Sequence, residues 1–184
     1  MPRYIAFLRA VNVGGRVVKM AQLKSLFESV GLSDVETFIA SGNVIFSSKS
    51  TAIPTLVRKI ETALRNELDY EVPVFIRTDA EVVAMAERKY AVFSAAEVDG
   101  AHSLNVGVLH APLSAAALKA MTSFDTAAES FRTDGSEIFM LLHTSVINSK
   151  FSIVKFEKAI GASTTFRNIN TMQRLAAKYV AKSA

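Results

Sequence analysis

The sequence predicts an α+β protein built from two ferredoxin-like halves, each β-α-β-β-α-β, with mostly antiparallel sheets and helices packed on them. Three observations predict it. Strand-like and helix-like segments follow that order twice along 184 residues. Each half carries one hairpin signal, Ser41-Gly42-Asn43 in the first and Asp134-Gly135 in the second. Apolar residues also match at constant spacing. Phe38, Gly42, Ile45 and Phe46 match Phe131, Gly135, Ile138 and Phe139, and Val57, Ile60 and Leu64 match Ile153, Phe156 and Ile160. On that register Phe38 and Phe131 should occupy equivalent, buried places.

Residues 4–11 read as a strand with apolar residues on both faces, so both faces should be covered. Asn12-Val13-Gly14-Gly15-Arg16 follows as a loop, because paired glycines punctuate. Met20, Leu23, Leu26, Phe27 and Val30 fall at helical spacing, and Gly31 suits the residue just past a helix end. Residues 35–40 and 44–47 form the next two strands around the hairpin turn. Pro54 suits the first turn of a helix striped by Val57, Ile60, Leu64 and Leu68. Val72, Val74 and Ile76 alternate as a fourth strand, and Asp79 can cap a closing helix.

Residues 1–90 are therefore expected to form the first half, 91–103 a connector without periodicity, and 104–184 the second half with a C-terminal helix. In that half, residues 104–109 read as a strand and Ser114 caps a helix with Leu118 and Met121. Residues 129–133 and 137–143 form the hairpin. Ile153, Phe156 and Ile160 stripe a helix that Gly161 ends. A short strand near 163–166 leads into a last helix with Met172, Leu175 and Ala176.

Composition narrows the function classes. There are no cysteines, which excludes disulfides, thiolate metal sites and cysteine nucleophiles. The apolar run at residues 4–8 is broken by Arg9, too short for a signal-peptide core, and no stretch approaches the ~20 apolar residues of a membrane helix. The expectation is a cytoplasmic protein with no membrane partner. A net charge of +4 and a pI near 9.4 favour anionic partners. Without a dense basic run, nucleic-acid binding should be weak at most.

Arg9-Ala10-Val11-Asn12-Val13-Gly14-Gly15, Ser41-Gly42-Asn43-Val44 and Thr165-Phe166-Arg167-Asn168 together resemble the bacterial family called Domain of Unknown Function 1697. The resemblance runs nearly end to end. The family usually has glycine where Ala10 stands, threonine where Phe166 stands and often tryptophan where Ile169 stands. The resemblance implies the fold and carries no established activity.

The candidate site rests on a difference between the halves. The first crossing from strand to helix is long and holds Asn12, Gly14, Gly15, Arg16 and Lys19, whereas the second uses Ala111-Pro112-Leu113. Glycines let backbone N–H groups approach an anion, and a helix start adds partial positive charge. Those residues, with Arg9, Arg167 and Asn168, are the candidate ligand-binding set. The loop lacks the spacing of a P-loop or a dinucleotide fingerprint, and a tight turn would also use its glycines. Asn168 could equally be a helix cap.

The first and third strands are taken as parallel neighbours. That puts the loop at the opposite end of the sheet from Ser41-Gly42-Asn43, and makes His110 and His143 neighbours. A metal would need a further ligand there, and none is expected; nor is a cofactor. No nucleophile motif is present. The reading is a binding module for a small anionic ligand, a nucleotide or phosphorylated metabolite. The alternatives are an enzyme of unknown reaction using the same loop, or a weak nucleic-acid or protein interaction module. Oligomeric state is not encoded in any pattern found.

Overall fold

A computed structural model describes residues 1–12, 15, 17–39, 42–145 and 149–180. The chain divides into two compact units, Met1–Val82 and Val83–Ala184. The first holds β1 (Arg3–Leu8), α1 (Met20–Ser29), β2 (Ser33–Phe38), β3 (Asn43–Ser47), α2 (Ile53–Leu68) and β4 (Val74–Thr78), and α3 (Asp79–Glu87) spans the boundary. Its sheet runs β2-β3-β1-β4 with every neighbour antiparallel.

Alternation decides which side chains meet the helices. Tyr4, Ala6 and Leu8 of β1, with Val44 and Phe46 of β3, share one core with Leu23 and Phe27 of α1 and Ile60 and Leu64 of α2. Each of the large aliphatic and phenylalanine side chains among them contributes about 1.5–3 kcal/mol on burial. Phe27 meets Phe46 edge to face at 5.7 Å. The intervening Ile5, Phe7, Ile45 and Phe75 are buried too. Both faces of β1 are therefore covered, as its two-sided apolar run requires.

The second unit holds a 3-10 turn (Arg88–Tyr90), α4 (Ala95–Gly100), β5 (Ser103–Val108), α5 (Ala115–Thr122), β6 (Glu129–Asp134), β7 (Glu137–Leu142), α6 (Ile153–Ile160), β8 (Thr165–Asn168) and α7 (Ile169–Val180). Its antiparallel sheet runs β6-β7-β5-β8, the same order in corresponding elements. The class is α+β as expected, and two similar halves fit a duplication. One bond recurs in both. Glu61 on α2 accepts the Val74 N–H at 3.0 Å, and Glu157 on α6 accepts the Thr164 N–H at 2.8 Å.

The structure corrects two local expectations. Residues 91–103 hold a helix, α4, opened by a capping box in which Ser94 and Glu97 bond each other's backbone N–H. Six residues are too few to show periodicity, yet buried Phe93 and Val98 anchor the segment. The constant-spacing register across the hairpins also fails. Phe38 pairs with Asn43 across a four-residue turn, whereas Asp134 pairs with Glu137 across two. The two-residue difference breaks the match between the second and third strands. Ile5 faces Ile45 while Val106 faces Phe139, so Phe139 corresponds to Ile45 and not to Phe46. A slip of one residue exchanges the faces. Phe46 and Phe131 lie in the helix-facing cores, and Phe38 is only half-buried.

Gly107 of β5 tests the packing in the second unit. A Cβ there would lie 2.7 Å from the Phe166 ring and 2.9 Å from Thr164 Oγ1. Gly107→Ala is expected to destabilise by about 1–3 kcal/mol through overpacking. The readout is a lowered urea midpoint at unchanged slope. An unchanged midpoint would mean the Phe166 ring swings aside freely.

Candidate functional site

The loop and the hairpin turn meet at one end of the first sheet. Because β1 and β3 are antiparallel, Phe7 pairs with Asn43. The Leu8 N–H donates to Gly42 O at 2.7 Å, and the Arg9 N–H donates to Pro73 O at 3.0 Å. The β1–α1 loop, the β2–β3 turn and the entry to β4 thus gather together. This corrects the expectation that loop and turn lie at opposite ends, which rested on taking the first and third strands as parallel.

Gly42 makes the junction possible. It sits at φ +71°, and a Cβ there would lie 3.2 Å from both Leu8 Cβ and Leu8 O. Asn43 is buried, and its amide donates to Phe38 O at 3.1 Å, closing the hairpin. Ser41 lies outside the described residues.

The β1–α1 connection takes residues 9–19, against 109–114 for the corresponding β5–α5 connection. Ala10 has φ +56°, a backbone that glycine adopts without strain. Val11 is buried, and Asn12 Oδ1 accepts the Val18 N–H at 2.8 Å, drawing the loop together. Gly15 is exposed at φ +83° with open space around it. Gly14 and Arg16 lie outside the described residues. Arg9 is half-buried, and Lys19 is exposed at the N-cap position of α1.

That N-cap separates the halves chemically. Ser114 caps α5 by accepting the Ala117 N–H at 3.2 Å. At the start of α1 the residue is Lys19, with no side-chain cap and no acid in the first turn. The Lys19 side chain makes no hydrogen bond or ion pair among the described residues. The first turn of α1 thus carries a cation at its N-cap and no acid of its own, while Glu67 of α2 accepts from Gln22 Nε2 at 3.1 Å.

Arg167 and Asn168 belong to the second unit. Arg167 pairs with Val106 and is 8% exposed. Its Nη1 donates to Thr165 Oγ1 at 2.9 Å and to Phe166 O at 2.8 Å. Burial pushes its pKa down to about 10, so it stays charged at neutral pH. Asn168 Oδ1 accepts the Asn170 N–H at 2.9 Å and starts α7.

Sequence reasoning missed the counterpart of this pair. Arg77 pairs with Ile5, is equally buried, and donates to Ile76 O at 3.0 Å. The next residue, Thr78, caps α3 by accepting the Glu81 N–H at 3.2 Å. The available signal was a lone arginine inside an apolar strand, followed by a capping residue, once in each half.

The histidines do not meet. Ser103 of β5 pairs with Leu142 and Val108 pairs with Glu137, so His110 and His143 leave opposite ends of the antiparallel pair. The expected neighbour pair is thereby overturned. His143 Nε2 instead lies 3.0 Å from Ser130 Oγ. His110 lines a cleft of about 390 Å3 between the β5–α5 crossing and the turn into β8. A cleft of about 330 Å3 opens in the first unit, between α2 and the entry to β4 at Pro73. Among the described residues no three His, Asp or Glu side chains gather as a metal site. No described helix is long and apolar enough to cross a membrane.

Fold and site together define a class: a two-unit α+β protein whose first unit carries a long basic loop beside a glycine turn. The chain belongs to the protein family of unknown function DUF1697, whose model matches residues 1–139. A similar solved structure is that of the conserved bacterial protein SP0830 from Streptococcus pneumoniae. It is 22% identical with a TM-score of 0.72, over 96% of this chain and 97% of that one, a likeness that speaks to fold alone. No curated protein matches the chain.

Proposed function

We propose that the protein is a cytoplasmic, ferredoxin-like duplication that binds a small anionic ligand, a nucleotide or phosphorylated metabolite, at the loop end of its first sheet. Arg9, Lys19 and the loop residues Asn12, Gly14, Gly15 and Arg16 form the binding set. One observation carries the reading. At the helix start where the second half has a capping serine, the first half has Lys19, an unfavourable N-cap. The missing cap alone does not set this helix apart, since α2 starts at Ala52 without a cap whereas the corresponding α6 has Ser152; the cation at the start of α1 is what supports an anion there. Arg167 and Asn168 lie in the second unit and are not needed for this reading. Nucleic-acid binding would be weak and salt-sensitive.

Lys19→Asp tests this with two opposed signs. Asp is a preferred N-cap and complements the helix dipole, so the variant gains about 0.5–2 kcal/mol. That corresponds to a melting temperature higher by about 2–4 °C per kcal/mol for a chain of this length. Ligand bound only to the native state raises the melting temperature, and a screen of nucleotides and sugar phosphates should find such a rise in the wild type. The variant should lose it. A ligand-dependent rise that survives Lys19→Asp overturns the assignment.

A further inference from the structure

We infer that the cleft between α2 and the entry to β4 is a second binding site, and that it takes a zwitterion, a free α-amino acid with a small apolar side chain. The cleft shares no lining residue with the anion-binding set and adjoins it where Pro73 O accepts the Arg9 N–H.

The cleft exists because α2 is long. Glu61 and Glu157 make the same bond to the entry of the following strand, which sets the two helices in correspondence. On that correspondence α6 ends at Gly161, the place of Arg65, whereas α2 continues to Leu68. The extension is not needed to reach the strand. With Glu71, Val72 and Pro73 it walls the cleft of about 330 Å3.

The polar groups around the cleft are mixed in sign and largely unused. Arg58 and Thr62 make no side-chain hydrogen bond or ion pair among the described residues. Glu61 gives one oxygen to the Val74 N–H, and its other oxygen has no partner among them. Arg65 and Glu71 form a loose, exposed pair at 3.7 Å. Two guanidinium groups and two carboxylates sum to zero. A phosphate would meet both carboxylates, whereas a zwitterion satisfies both signs. Arg58 offers a forked donor to a carboxylate, and the open oxygen of Glu61 accepts from an ammonium.

Size and floor set the rest. The volume lies at the bottom of the roughly 300–1,000 Å3 range of ligand pockets, room for a small molecule such as one amino acid. Half-buried Pro73, beside the buried Val72, gives the cleft an apolar wall for an apolar side chain. In the second unit Val154 and Lys158 hold the places of Arg58 and Thr62, so that unit lacks this donor set.

The test is an amide-resolved NMR titration of the full chain with L-valine, N-acetyl-L-valine, L-valinamide and inorganic phosphate. L-valine is expected to shift the Thr62 and Val72 amides at millimolar concentration. The two blocked forms, which each lack one charge, should bind at least about tenfold more weakly. Arg58→Ala and Glu61→Gln should each weaken L-valine about tenfold or more with little change in melting temperature. The glutamine retains an oxygen for the Val74 N–H. Lys19→Asp should leave L-valine binding unchanged. Absence of shifts at Thr62 and Val72, binding of N-acetyl-L-valine or phosphate as tight as that of L-valine, or an unaffected Arg58→Ala would each overturn the proposal.

Discussion

Phe131→Ala is expected to destabilise the second unit by about 3–5 kcal/mol, the range for deleting a fully buried phenylalanine. Its ring is inaccessible to solvent, stacks on Phe156 at 4.9 Å and tilts against Phe151 at 5.4 Å. Phe156 in turn meets Phe124 edge to face at 5.2 Å, so the truncation opens a void in a connected set of rings. Phe38→Ala should cost less than half as much, because Phe38 is half-buried at the end of an edge strand. Urea unfolding of both variants, followed by a probe in each unit, gives the comparison. Equal losses would mean that Phe38 contributes more than its partial burial implies.

The fold class was legible because its signals are periodic. The two-sided apolar run ending at Leu8, the helical stripe Leu23, Phe27 and the turn residues Gly42 and Gly135 each imply one local geometry. Register was less legible. It depends on how many residues a hairpin turn holds, and Ile39 with its neighbours adds two that composition does not reveal. The direction of the third strand decides which loops share an end of the sheet, so one wrong orientation separated Arg9 from Gly42 and joined His110 to His143. The contrast at Lys19 and Ser114 was present in the sequence. It acquired meaning only when both proved to be N-caps of corresponding helices. Arg77 stayed hidden because a single charge in a strand looks like a solvent-facing residue until burial is known.

Gly42→Ala should be the most damaging single methyl group in the first unit. The residue sits at φ +71°, where an L side chain costs about 1–2 kcal/mol. Its Cβ would also stand 3.2 Å from Leu8 Cβ and O and 3.6 Å from Val11 Cβ, adding about 1–3 kcal/mol of overpacking. Leu8 is in the central strand and the Gly42 carbonyl accepts its N–H, so neither side can withdraw without breaking that bond. Gly15→Ala is the control, since it has a similar φ of +83° and nothing within contact distance. It should show the conformational cost alone, about 1–2 kcal/mol. The difference between the two melting shifts measures how firmly the turn is wedged against β1. The same wedge holds Val11 and, through it, the start of the loop that leads to Lys19. Gly42→Ala should therefore also weaken the ligand-induced rise in melting temperature, although it removes no charge. If the two alanine variants lose the same stability, the positive φ is the whole effect. The turn would then not be a support for the loop.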